Sequence, residues 1–366
     1  MNLQEALRTF AADKPRLEQL GISWQPGAEV KGYIPEGFGS NFGLAMDAQP
    51  VLTTDPNAGI PAMLTTLIDP QVYEILFAPT KAAEILGENR KGTWVDDTAI
   101  FPTVEHTGEV SSYGDYVNNG STGVNTNFPQ RQSYLFQTIK QYGEREIDRV
   151  GLAKINWVSE IDRAAATVLN RFSNLTYIYG VSGLQNYGLF NDPNLPASLT
   201  PATKAAGGAT WFTAGGAPNA TANEVYNDIL SLYEDLVTRT AGLVDKSTKL
   251  TLGMSPGSEV ALDFTNTFNV NVTDILKKSF PGIRIVTMQQ YGALSTTNPQ
   301  GVAAGNFVQL IADSVQGQQA GYCSFNEKMR SHKIIPEMSA YKQKVTGGTW
   351  GAIIRMPILF SSMVGI

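Results

Sequence analysis

Over residues 144–172, apolar side chains fall at Ile147, Val150, Trp157, Val158, Ile161, Ala165, Val168 and Phe172. That spacing repeats with the period of an α-helix. Glu144, Glu146 and Asp148 occupy its first turns, where the helix dipole favours negative charge. One helix of that length spans roughly 40 Å, which is long for a small domain, so the rest of the chain has to supply a surface able to bury the stripe. The stripe itself reads as ordinary packing and not as a cofactor box. Gly180 is the expected stop.

The stretch just before this helix has a different period. Trp94, Val95, Ile100, Val104 and Val110 suit strands, and residues 134–139 alternate with period two. Between them lies Tyr113-Gly-Asp-Tyr-Val-Asn-Asn-Gly-Ser-Thr-Gly123, which carries an Asn-Gly turn signal. The pattern predicts a long two-stranded excursion with a polar, glycine-rich tip. A lone hairpin is marginally stable in water, so one this long is expected to rest on something else, another subunit included.

Residues 1–60 start with a short helical pattern at Leu3, Leu7 and Phe10 and then lose periodicity under a run of prolines and glycines. So long a stretch of weak structure fits an extended arm, or else a lid, better than a compact domain. Residues 70–87 give one apolar helical stripe interrupted by Pro79. After the loop at residues 181–196 the chain reads as α/β. A helix is expected at 223–239, with Val225, Ile229, Leu232 and Leu236 on one face, and another at 272–280. Strands are expected at 249–252, 283–288 and 307–311. Ser255-Pro256 makes a good helix cap followed by the favoured first-turn proline. Residues 333–346 and 349–360 are expected to pair around Gly347-Gly348.

Composition narrows the function classes. Charged residues make up 16% of the chain, against about 25% in ordinary soluble domains. That suits a subunit buried among neighbours, and equally a monomer with a neutral polar surface. A net charge of −6 argues against wrapping nucleic acid by phosphate neutralisation, though not against a container whose wall faces DNA. Cys323 stands alone, which leaves no disulfide framework, and His106 and His332 are too few for a histidine-rich metal site. The N-terminal residues form no secretory signal. Residues 352–360 are apolar but broken by Arg355 and Pro357, far short of a membrane span. The chain therefore reads as a soluble protein made in a reducing compartment, with no membrane partner. Sequons at Asn119, Asn174, Asn219 and Asn271 read as chance.

One catalytic motif needs weighing. Gly253-Met-Ser255-Pro256-Gly257 matches G-x-S-x-G between a strand and a helix. In a nucleophile elbow the next residue gives its N–H to the oxyanion hole, and Pro256 has none. Losing one such donor typically costs about a hundredfold or more in rate. His332, the only histidine downstream, sits in the basic run Met329-Arg-Ser-His-Lys333. Ser255 is read as a cap, and a serine hydrolase is kept only as a remote alternative. No phosphate loop, dinucleotide-binding turn or H-E-x-x-H occurs. Asp96-Asp97 and Glu144/Glu146/Asp148 read as solvated charge, not as a catalytic carboxylate pair. The expectation is a non-enzyme with no cofactor and no metal.

The order of extended arm, β excursion, long helix, α/β domain and closing strand pair resembles the Hong Kong 97 phage capsid fold. The words of the sequence are similar to one branch of phage major capsid proteins, formerly a family of unknown function. They are Asn57-Ala-Gly-Ile-Pro61, Pro79-Thr-Lys-Ala-Ala-Glu-Ile-Leu-Gly87, Thr107-Gly-Glu-Val-Ser-Ser-Tyr-Gly-Asp-Tyr116, Pro129-Gln-Arg-Gln132, Tyr142-Gly-Glu-Arg-Glu146, Gly183-Leu-Gln-Asn-Tyr-Gly-Leu189 and Asn191-Asp-Pro-Asn-Leu-Pro196. Their order and spacing carry the resemblance, which covers residues 50–366 and is densest before Trp211.

What the resemblance implies is an α+β subunit of an icosahedral phage head, assembled as hexameric and pentameric capsomers around double-stranded DNA. Residues 1–70 would be the N-terminal arm and 93–140 the E-loop. Residues 71–92, 141–220 and 316–366 would form the P-domain, with its spine helix at about 144–172, and 221–315 the A-domain. Tyr113, Asp115, Tyr116, Arg131, Glu144, Arg145, Glu146 and Arg149 are the expected inter-subunit contacts. A portal, a separate scaffolding protein and a possible cement protein are the implied partners; the host cytoplasm would be the place of assembly and the virion the destination. In the type member a scaffolding segment precedes the arm and is cut away; here that stretch is short, so no N-terminal processing is expected. The type member also cross-links through an E-loop lysine. Between Gly108 and Arg131 this chain has no lysine, so no isopeptide chainmail is expected. An encapsulin-like compartment on the same fold, and a tail or decoration protein, are the competing readings.

Overall fold

The computed structural model describes Ala12, residues 80–152 and residues 156–366. Contacts divide the chain between Ile68 and Asp69, and apart from Ala12 everything described belongs to the second unit. The expected arm, the Leu3/Leu7/Phe10 helix, the Asn57–Pro61 word and the first part of the 70–87 stripe lie outside the described residues.

The first elements are α1 (Ala82–Leu86), β1 (Glu88–Arg90), β2 (Thr98–Ile100), β3 (Thr103–Glu109), β4 (Ser121–Asn127), β5 (Gln130–Gln132), β6 (Tyr134–Gly143), α2 (Glu144–Leu152) and α3 (Trp157–Tyr179). There follow α4 (Ala222–Arg239), β7 (Leu250–Met254), α5 (Pro256–Glu259), α6 (Val272–Ser279), β8 (Ile283–Thr287) and β9 (Phe307–Ala312). The chain closes with β10 (Ser314–Val315), β11 (Gln318–Gln319), β12 (Gly321–Glu337), β13 (Ala340–Ile354) and β14 (Phe360–Val364).

Two four-stranded sheets organise these elements, one ordered β1-β12-β13-β6 and the other β14-β9-β7-β8. In the first, β6 alternates as its sequence predicts: Tyr134, Phe136 and Thr138 turn inward while Leu135, Gln137 and Ile139 face out. The inward aromatics meet α3, with the Phe136 and Phe172 rings 4.7 Å apart. Lys140 reaches Asp162 of α3 at 2.7 Å, and Thr176 meets Thr349 of β13 at 3.1 Å. In the second sheet β7 is parallel to β8 and antiparallel to β9. Every residue of β7 and β9 is buried, and the two polar side chains among them are satisfied, Thr251 by Asp313 and Gln309 by the Tyr291 hydroxyl. Helix α4 covers this sheet with Val225, Ile229, Leu232 and Leu236, all buried. Its start is set by a capping box in which Thr221 and Glu224 satisfy each other's backbone N–H groups.

Two expectations are corrected. The stripe at 144–172 is two helices, α2 and α3, and the second continues to Tyr179. Asn156 leaves helical geometry at φ −84, ψ 81 and its side chain accepts from the Ser159 N–H, so it starts a new helix. Competition between an asparagine side chain and the backbone ladder makes this a preferred starting point. Gly180 closes α3 as expected, its N–H bonding Thr176 O. The closing strand pair is also displaced. The turn falls between β12 and β13 at Met338, φ 38, and β13 runs straight through Gly347-Gly348. Those glycines are required by close approach: a Cβ on Gly348 would lie 1.9 Å from Asn326 Oδ1, and one on Gly347 2.8 Å from the Phe136 ring. Residues 360–364 then pair with β9 in the other sheet.

One large apolar core joins α1, the end of α3, α4 and the second sheet. A smaller cluster of Tyr322, Trp350 and Ile353 gathers Ala99 and Phe101 beneath the β2–β5 ribbon.

Candidate assembly surface

The excursion between β1 and β6 is two ribbons in line. At its root β2 pairs with β5, and beyond it β3 pairs with β4 over Thr103/Asn127 to Glu109/Ser121. The root is held firmly. Phe101 and Ala99 pack on the small core, Phe101 N–H bonds Pro129 O and Ser133 N–H bonds Asp97 O. Arg131 donates through Nη2 to Asp192 Oδ2 at 2.7 Å, with the two side chains 9% and 0% exposed. The guanidinium also lies 4.9 Å over the Tyr187 ring.

Past the root no described part of the chain covers the ribbon: every residue of β3 and β4 is exposed. Opposed residues in an antiparallel pair project to the same side. The register Val104/Thr126 and His106/Val124 therefore gives one face with both valines. The other face carries Glu105, Glu109, Asn125 and Asn127. The first face, which Val104 and Val124 share with His106, Gly108, Thr122 and Thr126, is the less polar of the two, and both valines stand in water. At its tip Val110, Tyr113 and Tyr116 are 98%, 93% and 102% exposed. Tyr113 is oriented by its hydroxyl donating to Asp115 Oδ1 at 2.7 Å.

The contact candidates divide into three groups. Tyr113, Asp115 and Tyr116 sit together at the free tip. Arg131 is buried at the root and paired with Asp192 inside the chain, which leaves it holding the ribbon in place. Glu144, Arg145, Glu146 and Arg149 lie on the exposed side of α2, with Glu144 accepting from Tyr341 Oη at 3.3 Å and Glu146 from Gly143 N–H at 3.4 Å. The Arg131–Asp192 pair could not be found from periodicity; the only local hint was an arginine inside a strand.

Ser255 is the cap it was read to be. Its Oγ accepts from Ser258 N–H at 3.0 Å, it is buried, and a Cβ on Gly253 would strike the Tyr291 hydroxyl at 2.5 Å, which explains that glycine without catalysis. His332 is engaged elsewhere, with Thr346 Oγ1 at 3.0 Å. In the basic run Arg330 lies over Trp94 at 5.1 Å and meets Glu327 at 3.4 Å. Asp96 closes a turn by accepting from Thr93. Burial pushes the Cys323 thiol up, the opposite of an activated nucleophile. Among the described residues no helix is long and apolar enough to cross a membrane, and no group of three or more His, Cys, Asp or Glu is placed to hold a metal.

A two-sheet body with a firmly rooted, uncovered ribbon is the architecture of a Hong Kong 97-like capsid subunit. The capsid of Myoviridae phage XM1 superposes with a TM-score of 0.66 at 13% identity, over 85% of this chain and 100% of that one. Microbacterium phage Oxtober96 matches at 0.55 and 9% identity, over 83% and 96%, and Mycobacterium phage Bobi at 0.53 and 10% identity, over 83% and 96%. Identities this low establish the fold. Residues 51–365 match the family model described as Pa193 gp26 major capsid protein, and the chain belongs to that family. It is a tailed-phage major capsid protein, a structural component of the virion. No curated protein sequence is matched.

Proposed function

We propose that the chain self-assembles into hexameric and pentameric capsomers of an icosahedral head around double-stranded DNA. The observation that carries this is the β3–β4 ribbon, exposed at every position with Val104 and Val124 standing in water on one face. In water such a ribbon is marginal, and against another copy it buries that face. Residues 93–140 act as the E-loop and lie across a neighbouring copy. Tyr113, Asp115 and Tyr116 meet the exposed side of the neighbour's α2, where Arg145 and Arg149 offer charge complementary to Asp115. Residues 1–70 serve as the arm, residues 71–92, 141–220 and 316–366 as the P-domain, and 221–315 as the A-domain near the capsomer axis. Head-to-tail contacts of this kind close as rings and so make a container. Assembly takes place in the host cytoplasm with a separate scaffolding protein, a portal and, where the shell needs it, a cement protein. DNA is enclosed without sequence-specific binding. Since the ribbon tip has no lysine, boiled particles run as monomers on a denaturing gel.

Negative-stain microscopy of the overexpressed chain, alone and with its neighbouring genes, tests the proposal. Closed shells of one or a few diameters are expected. Tubes, surface spikes on another shell, or a chain that stays monomeric at high concentration would overturn it.

A further inference from the structure

The ribbon tip carries the only Asn-Gly step in the chain, Asn119-Gly120. Both residues are exposed and lie in the loop that joins β3 to β4. Two other asparagines of the ribbon are engaged. Asn125 donates to Glu105 Oε2 at 3.4 Å, and Asn127 Oδ1 accepts from Phe128 N–H at 2.8 Å. Among the described residues the Asn119 side chain has no such partner, and neither has the Gly120 N–H. What is bonded is the carbonyl of the peptide that joins them: Ser111 Oγ donates to Asn119 O at 2.7 Å. A hydrogen bond to that oxygen polarises the amide and makes its N–H more acidic. Gly120, at φ 94, has no Cβ to shield its nitrogen. A free amide side chain beside an acidified, unshielded peptide nitrogen in open solvent is the arrangement from which a succinimide forms.

We propose that Asn119 is a self-modification site, converted while the tip is free and protected once the tip is seated on a neighbouring copy. Hydroxide removes the Gly120 N–H proton, and the nitrogen attacks Asn119 Cγ. The Cγ–Nδ2 bond breaks, Nδ2 takes up a proton and leaves as ammonia, and a five-membered succinimide closes. Water then opens the ring at either carbonyl, leaving an aspartyl or an isoaspartyl residue at position 119. The net change is amide plus water to carboxylate plus ammonium.

Each product adds a negative charge to a tip that already holds Asp115. The isoaspartyl form also lengthens the backbone by a methylene at the point where Ser111 ties the two sides of the loop together. Ring closure needs the Asn119 side chain to rotate onto the Gly120 nitrogen, and packing against another copy removes that freedom. A subunit that stays unassembled therefore loses its competence with time. The protection rests on the capsomer reading above; the conversion of the free chain does not.

The test is peptide mass spectrometry of the full chain aged in mildly alkaline buffer, with shells made from fresh chain aged alongside. In the free chain the ribbon peptide is expected to gain the mass of an amide-to-acid exchange, with fragment ions placing it at Asn119 and not at Asn118, Asn125 or Asn127. The same peptide from shells is expected to stay unconverted. When aged chain is then assembled, the converted form should be left in the unassembled fraction, and the yield of shells should fall in step with conversion. No exchange in the free chain, exchange spread over the other ribbon asparagines, or equal conversion in shells overturns the proposal. Asn119→Gln, which would have to close a six-membered ring, is expected to stay unmodified and to assemble as well after ageing as before. An equal loss of assembly in this variant overturns the assigned consequence. If fresh wild-type chain forms no shells, it is the capsomer reading that fails, and conversion of the free chain decides the site by itself.

Discussion

The Arg131–Asp192 pair joins the projecting ribbon to the body, and its geometry allows its contribution to be worked out. Asp192 is fully buried and Arg131 nearly so, so solvent screening does not weaken the pair. Removing one partner of such a pair typically costs about 3–5 kcal/mol, because the other charge stays buried. Two details set the value here. Arg131 Nε has no hydrogen-bond partner, so the guanidinium is incompletely satisfied even in the native state. Asp192 Oδ1 also accepts from Asn194 N–H at 3.0 Å, a bond lost in any apolar replacement. Asp192→Leu is therefore expected near the low end, about 3 kcal/mol, and Arg131→Met about the same. The double variant removes both charges and should cost the lost turn bond and the contact of the guanidinium with Tyr187, together about 2 kcal/mol. Urea unfolding of the full chain, followed by tryptophan fluorescence, measures all three. Native-state hydrogen exchange adds a local readout: amides of β2 and β5 should exchange faster in each single variant. A double variant as unstable as the sum of the singles would refute the buried-pair account.

Three further outcomes follow from particular contacts. Gly348→Ala would place its Cβ 1.9 Å from Asn326 Oδ1, an atom already held by Glu327 N–H at 2.9 Å; overpacking of this kind should cost about 2–3 kcal/mol, and an unchanged melting temperature would show that the strands can part. The Glu224 carboxylate is held below its ordinary 4.5 by the N–H groups of Thr221 and Ala205. A lowered folded value means its contribution is complete above the ordinary value and disappears as pH falls through the lowered one. The stability gap between wild type and Glu224→Gln, read from urea midpoints, should therefore close in acid; a gap independent of pH contradicts the capping box. Cys323 is buried and its thiol is pushed up by burial, so alkylation should occur only on unfolding. Rapid labelling of the native chain would count against that core position.

Legibility in the sequence followed the range of the interaction. Where a signal is local, such as the α4 stripe, the Ser255-Pro256 cap or the period of β6, the expected element is the one that forms. Where the deciding partner is distant, the reading failed or was silent. Gly347-Gly348 looks like a turn until Phe136 and Asn326 are known to press on it. Asn156 interrupts a stripe that continues in phase on both sides, and only its side-chain bond to Ser159 N–H reveals a new start. The assembly surface shows the same division more sharply. Val104 and Val110 read only as strand residues, and Tyr113 and Tyr116 as part of a polar tip; in the structure all four are exposed. Only the β3–β4 register puts Val104 and Val124 on one face, which turns scattered hydrophobics into a surface. A subunit of a shell carries two populations of apolar residues, one for its own core and one for its neighbours'. Periodicity cannot separate them, because both are selected for burial; the register, and the exposure of the ribbon among the described residues, can.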